Sequence, residues 1–179
     1  AVAISGTAAV VGAKGRGDNG FWSGAAYVFR WNGASWIQEV KLLPSDIQMG
    51  DQFGQSVAIR ADAITVGAVG QNSAAGAAYV FRYDSITAAW AQEAKLVASP
   101  ATAGDSFGVA LAMNGNTVVV GAQGRSDRAG AAYVFLRTGG AWSQEAMLVA
   151  GDVASGDMFG AAVAARGYTA VLGAPFADA

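Results

Sequence analysis

In the stretch 109–148 the apolar residues fall into four short runs, 109–113, 117–120, 131–136 and 142–148, each closed off by glycine or polar residues. Runs this short, rich in β-branched and aromatic side chains, predict strands rather than helices. Asn114-Gly115, between the first two, is a dipeptide that favours a two-residue hairpin with positive φ. A longer polar loop, 123–129, leads to the third run, and Thr138-Gly139-Gly140 turns the chain into the fourth. The pattern therefore predicts four antiparallel strands, A to D, connected up and down. In strand C the large Tyr133 and Phe135 alternate with Ala132 and Val134. In strand D, Trp142 and Leu148 share a parity that Glu145 does not, so one face is expected to be the more strongly apolar.

The same succession recurs along the chain. Gly-Ala-Ala-Tyr-Val-Phe begins at Gly24, Gly76 and Gly130, at intervals of 52 and 54 residues. Trp-x-Gln-Glu begins at Trp36, Trp90 and Trp142, and Gly-Asp-x-Phe-Gly at Gly50, Gly104 and Gly156. Val/Leu-Gly-Ala appears at Val11, Val66, Val120 and Leu172. A fixed period of this size marks a solenoid or propeller. One four-stranded unit cannot bury both of its faces, whereas units stacked face to face around an axis do. The expected fold is all-β: propeller blades of four antiparallel strands. The repeat units fall at 1–49, 50–103, 104–155 and, in part, 156–179. About three and a half blades do not close a ring, so a larger propeller is expected, completed by further blades of the same polypeptide or by a homo-oligomer.

Composition narrows the chemistry. Of 179 residues, 53% are hydrophobic and 13% charged, which suits a packed domain. Eleven basic against thirteen acidic residues, with no basic cluster, lack the footprint of a nucleic-acid binder. No apolar run approaches the roughly 20 residues a membrane-spanning helix needs. Cysteine and histidine are both absent, which removes thiolate nucleophiles, imidazole bases and metal sites built on sulfur or nitrogen. The remaining unrepeated acids are scattered, so no catalytic residue, metal site or cofactor is expected. The chain opens Ala1-Val2-Ala3-Ile4, already inside strand A, and is expected to start partway into a longer polypeptide.

These motifs resemble the FG-GAP repeats of integrin α-subunit propellers and of many bacterial surface proteins. Phe53-Gly54, Phe107-Gly108 and Phe159-Gly160 match the FG element, Gly67-Ala68 and Gly121-Ala122 match most of GAP, and Gly173-Ala174-Pro175 matches it fully. The resemblance implies a ring of blades, commonly seven, and an extracellular or cell-surface setting. Integrin-type repeats often carry an Asp/Asn-rich calcium loop between strands A and B. The A–B turns here are Ser5-Gly6-Thr7, Arg60-Ala61-Asp62, Asn114-Gly115-Asn116 and Arg166-Gly167-Tyr168, with one carboxylate at most, too few for the oxygen ligands calcium takes.

Residues that recur once per unit read as scaffold: Asp51, Asp105 and Asp157 as turn formers, Phe53, Phe107 and Phe159 as wedges between sheets, Gly54, Gly108 and Gly160 beside them. Trp36, Trp90 and Trp142 could form a sugar platform, but repetition at the start of strand D favours packing, with each indole N–H in need of a partner. Gly12-x-x-Gly15-x-Gly17 lacks the following helix that a phosphate loop requires. Arg16-Gly17-Asp18 spells an adhesive tripeptide, yet the other copies read Gln71-Asn72-Ser73 and Arg125-Ser126-Asp127 there, which favours coincidence. Binding is expected instead on the face formed by the long B–C and D–A connections. Candidate contacts are Lys14, Arg16, Asp18, Phe21, Trp22, Gln71, Asn72, Arg125, Asp127 and Arg128, toward a protein or glycan ligand. An architectural repeat of a surface fibre, or an accessory carbohydrate-binding domain of an enzyme, is the alternative.

Overall fold

Each repeat folds as one antiparallel meander. The computed structural model describes residues 1–177. Blade 1 comprises β1 (Val2–Ser5), β2 (Ala8–Ala13), β3 (Ala25–Trp31) and β4 (Trp36–Leu42), hydrogen-bonded in that order. Blade 2 comprises β5 (Phe53–Arg60), β6 (Ala63–Ala68), β7 (Ala77–Asp84) and β8 (Ala89–Leu96). Blade 3 comprises β9 (Phe107–Asn114), β10 (Thr117–Ala122), β11 (Ala131–Thr138) and β12 (Ala141–Leu148). A two-stranded sheet, β13 (Ala162–Arg166) and β14 (Thr169–Gly173), forms strands A and B of a fourth. The chain is thus all-β, with three full propeller blades and half of another.

Two hydrophobic cores lie between blades rather than within them. Blade 1 offers the second blade a surface of Val10, Ala26, Val28 and Leu42, and blade 2 meets it with Phe53, Ile64, Val66, Tyr79 and Phe81. The next interface repeats the scheme, with Ala78, Val80 and Leu96 facing Phe107, Val118, Val120, Tyr133 and Phe135. Small side chains on one sheet receive aromatic ones from the next, so interdigitation fills the gap. The wedge phenylalanine is central. Phe107 is fully buried, with its ring edge-on to Tyr133 at 5.5 Å and to Phe135 at 5.8 Å, and Phe53 meets Tyr79 and Phe81 at 5.7 and 6.1 Å.

Strand D corrects the simple parity reading. Val134 pairs with Ala146 but Phe135 pairs with Gln144, so Glu145 is an extra residue in β12. Glu39 and Glu93 are extra in the same way in β4 and β8. Such a bulge shifts side-chain alternation by one. Trp90 and Trp142 consequently pack toward the preceding blade, whereas Leu96 joins the core toward the following one. Both faces of a blade are therefore apolar, not one.

The bulged glutamate also ties blades together. The Trp90 indole N–H of blade 2 donates to Glu39 of blade 1 at 3.1 Å, and the Trp142 indole of blade 3 donates to Glu93 of blade 2 at 2.9 Å. Glu93 further accepts Arg82 Nε at 2.9 Å from its own sheet and Arg137 Nε at 2.9 Å from the next. Partial burial of this carboxylate opposes its charge, but hydrogen bonds from Arg82, Trp142 and Arg137 outweigh that and hold its pKa below the ordinary 4.5. A group whose pKa is depressed by folding stabilises the native state above its unfolded pKa, and that contribution is lost as the pH falls through the folded value. Glu93→Gln is expected to cost about 1–3 kcal/mol at neutral pH, because two guanidinium groups and an indole lose a charged acceptor. In urea unfolding the gap between variant and parent should close on acidification; a gap that widens in acid would refute this assignment.

Candidate functional site

Backbone hydrogen bonds clasp the connections of neighbouring blades into one surface. The amides of Gln52 and Phe53 donate to the carbonyls of Trp22 and Ser23 at 2.9 and 3.0 Å. Ser106 and Phe107 donate to Ala74 and Ala75, and Met158 and Phe159 to Arg128 and Ala129. Each Gly-Asp-x-Phe-Gly segment is therefore laid along the B–C loop of the blade before it. The aspartate holds the preceding turn from within: Asp51, Asp105 and Asp157 accept the amides of Gln48, Thr102 and Ala154 at 2.8, 2.9 and 2.7 Å, and all three side chains are buried. The D–A and B–C connections thus share one side of the blades.

The B–C loops of blades 2 and 3 tighten into single turns, Gln71–Ala74 and Arg125–Arg128, whose last three residues have left-handed backbone. Asn72, Ser73 and Ala74 have φ of +51°, +58° and +63°, and Ser126, Asp127 and Arg128 have +50°, +55° and +65°. In the longer loop of blade 1 the equivalent of Ala74 and Arg128 is Trp22, at φ +58°. A bulky residue in this region is sterically unfavourable and persists only where its surroundings impose it. Here the carbonyl bonds to the next blade impose it, and the side chain is turned outward as a result.

The candidate residues separate into four groups. Phe21 is 75% exposed and Trp22 38% exposed, their rings 5.9 Å apart, with Met49 of the D–A connection 69% exposed beside Gly20. Lys14 Nζ lies 6.0 Å from the Trp22 ring centroid. Arg125, Asp127 and Arg128 line a shallow concavity of about 610 Å³ with Thr102, Gly104, Asp105 and Gly124. Asn72 is exposed on the blade 2 loop. Two candidates turn out to be occupied internally. Gln71 is buried, its Nε2 donating to Tyr79 Oη at 2.6 Å, so it presents nothing to a ligand. Asp18 is engaged by the Lys41 ammonium and by Arg16 Nε at 2.7 Å, which takes the carboxylate of the Arg-Gly-Asp tripeptide into an ion-pair network.

Sequence reasoning missed Met49, Lys41 and Asp46. Asp46 accepts Lys95 Nζ at 2.6 Å and Tyr79 Oη at 2.9 Å. Burial raises the pKa of Tyr79, and the Asp46 carboxylate raises it further. The signal for Met49 was its place beside Gly50 in the D–A connection. Among the described residues, no three His, Cys, Asp or Glu side chains come together in a group that could hold a metal ion. No helix among them is long and apolar enough to cross a membrane.

Comparison with known proteins gives the same architecture. Among solved structures, the chain is similar to Sqt1 of Saccharomyces cerevisiae, a propeller-type protein, with a TM-score of 0.51 at 11% identity over 83% of this chain. It spans only 34% of that protein's length. No curated protein sequence matches it significantly. The family model of the FG-GAP repeat matches residues 1–29, 36–81, 90–135 and 142–179. Each complete match starts at the tryptophan of one strand D and ends at the phenylalanine of the next strand C, so the sequence repeat straddles the clasp between two blades. With these matches covering nearly its whole length, the chain belongs to the FG-GAP repeat family.

Proposed function

We propose that the chain is a non-catalytic interaction module of an extracellular or cell-surface protein, contacting a protein or glycan ligand through the face built from the B–C and D–A connections. The observation that carries this reading is the exposed cluster of Phe21, Trp22 and Met49 in a molecule whose repeated aromatics, in blades 2 and 3, are spent on blade packing. Unrepeated aromatic residues on a rigidly clasped loop are the kind that anchor binding surfaces. Lys14 over Trp22 adds a cation at the rim of the patch.

A second reading, packing of a second copy of the chain against blade 1, is favoured by the apolar outer face of that blade. Val2 and Val11 are 73% and 38% exposed there, whereas Val66, which corresponds to Val11, is fully buried. The two readings separate on the same protein. In a screen against immobilised matrix proteins and glycans, Phe21→Ser combined with Trp22→Ala is expected to abolish capture while leaving the unfolding midpoint unchanged. Retention of capture by that variant, together with a concentration-dependent rise in mass during sedimentation, would favour assembly instead.

A further inference from the structure

Beside the strand C tyrosine of blades 1 and 2, a strand D lysine is paired with a loop aspartate, and blade 3 has neither member of that pair. In blade 1 the Asp18 carboxylate is held by Lys41, whose Nζ lies 5.9 Å from the Tyr27 ring centroid, and by Arg16. In blade 2 Asp46 is held by Lys95, Tyr79 Oη and, at 3.4 Å, Gln71 Nε2. Both anions come from the chain itself.

Blade 3 differs at three corresponding positions. Residues 43–49 and 97–103 occupy equal spans before their Gly-Asp motifs, which puts Pro100 where blade 2 has Asp46. Arg125 stands where blade 2 has Gln71, and Met147 where it has Lys95. The positive charge has thus moved from strand D to the B–C loop, and the loop aspartate is gone, which leaves Arg125 to the motif aspartate Asp105. In its place are long contacts: Arg125 Nη1 is 3.4 Å from the Pro100 carbonyl and 3.4 Å from Asp105 Oδ2, and Tyr133 Oη is 3.5 Å from the same carbonyl. Asp105 Oδ2 already takes a shorter bond from the Thr102 amide. A guanidinium has five N–H donors in a planar fork, and contacts of this length leave most of that capacity unused. Arg125 is only 16% exposed, and it opens onto the concavity whose rim also carries Arg128.

We propose that blade 3 binds a carboxylate from outside the chain, the side chain of an aspartate or glutamate on a partner polypeptide, received by Arg125 and Arg128. A peptide donor is chosen because the anion in both other blades is an aspartate delivered by a loop lying against its neighbour. Asp105 and Asp127 on the same rim keep the concavity from carrying the excess positive charge that a polyanion needs. The proposal rests on the connection face being the ligand-binding face and adds the class of ligand group.

The test is a titration of the intact chain, followed by amide NMR shifts, with a short aspartate-containing peptide, its asparagine counterpart and free glucuronate. Saturable shifts at Gly104, Gly124 and Arg125 are expected with the aspartate peptide, and binding roughly tenfold or more weaker with the asparagine one. Arg125→Gln, which installs the blade 2 residue, should weaken the aspartate peptide by a similar factor. Replacing residues 97–103 with the sequence of 43–49 supplies an internal aspartate and should also weaken the peptide in the presence of both arginines. Equal binding of the two peptides, indifference to Arg125→Gln, or response to glucuronate alone would overturn the proposal. If blade 3 proves silent while capture through Phe21 and Trp22 persists, the carboxylate site fails and the broader reading stands.

Discussion

Phe107→Ala is expected to destabilise the chain by about 3–5 kcal/mol, as large-to-small changes at fully buried aromatic positions do. The ring is inaccessible to solvent and lies edge-on between Tyr133 and Phe135, at the mouth of the core that joins blades 2 and 3. Its loss removes apolar burial and leaves a cavity that neighbours cannot easily fill, because the backbone on either side is pinned. Phe107 N is bonded to the Ala75 carbonyl, and Val109 N to the Ser106 carbonyl. Phe159 provides the internal control. It has the same motif position, but in the half blade, where the strands that would supply its aromatic neighbours are absent from the described residues, it is only partly buried. Phe159→Ala should therefore cost clearly less than Phe107→Ala in equilibrium denaturation. Equal losses would show that the phenylalanine stabilises its own turn and not the interface between blades.

The contrast between these two phenylalanines marks what can be read from a repeat. Strand positions, to within about two residues, meander order and the all-β class follow from short apolar runs and Asn-Gly or Gly-Gly turns, since these are local properties. The direction in which strand D faces did not follow. Alternation placed Trp142 and Leu148 on one side, and only the pairing of Phe135 with Gln144 shows that Glu145 is inserted between them. A bulge leaves no mark in hydrophobicity, so the role of Trp-x-Gln-Glu as a tie between two sheets was hidden by its appearance within one strand.

The candidate site was legible to a smaller extent. That binding residues should lie on B–C and D–A connections follows from topology, which puts both on one side. Which of them point outward depends on contacts made far along the chain. Gln71 and Arg125 occupy the same place in their loops, yet Gln71 is drawn inward by Tyr79 and Asp46, while Arg125 meets a proline carbonyl at the corresponding place. Asp18 looked free in a glycine-rich loop. Its ion pair with Lys41 crosses from a loop to strand D, a separation that local composition does not reveal.

Gly54→Ala should be comparably severe, for a different reason. Gly54 has φ of +92°, a conformation that costs an L-residue about 1–3 kcal/mol. Steric exclusion adds to this, because a methyl group at Gly54 would fall against the carbonyl oxygen of Ala25 and the amide nitrogen of Ala13 in the preceding blade. Both obstacles are backbone atoms in paired strands, so neither can turn aside as a flexible side chain would. Overpacking of this kind costs about 1–3 kcal/mol more. Together these predict a loss of roughly 2–6 kcal/mol, concentrated at the junction of blades 1 and 2. Gly12 faces Gly54 across the same junction, and a methyl group there would meet the Gly54 carbonyl. Gly12→Ala lacks the φ penalty because its φ is not positive, so its cost isolates the steric part of the effect at this junction. Hydrogen exchange locates the effect: Gly54→Ala should expose the amides of Gln52 and Phe53 while those of Ser106 and Phe107 stay protected. Uniform loss of protection across both junctions would mean that the blades unfold as one unit, and would remove the inference that each FG glycine acts at its own interface.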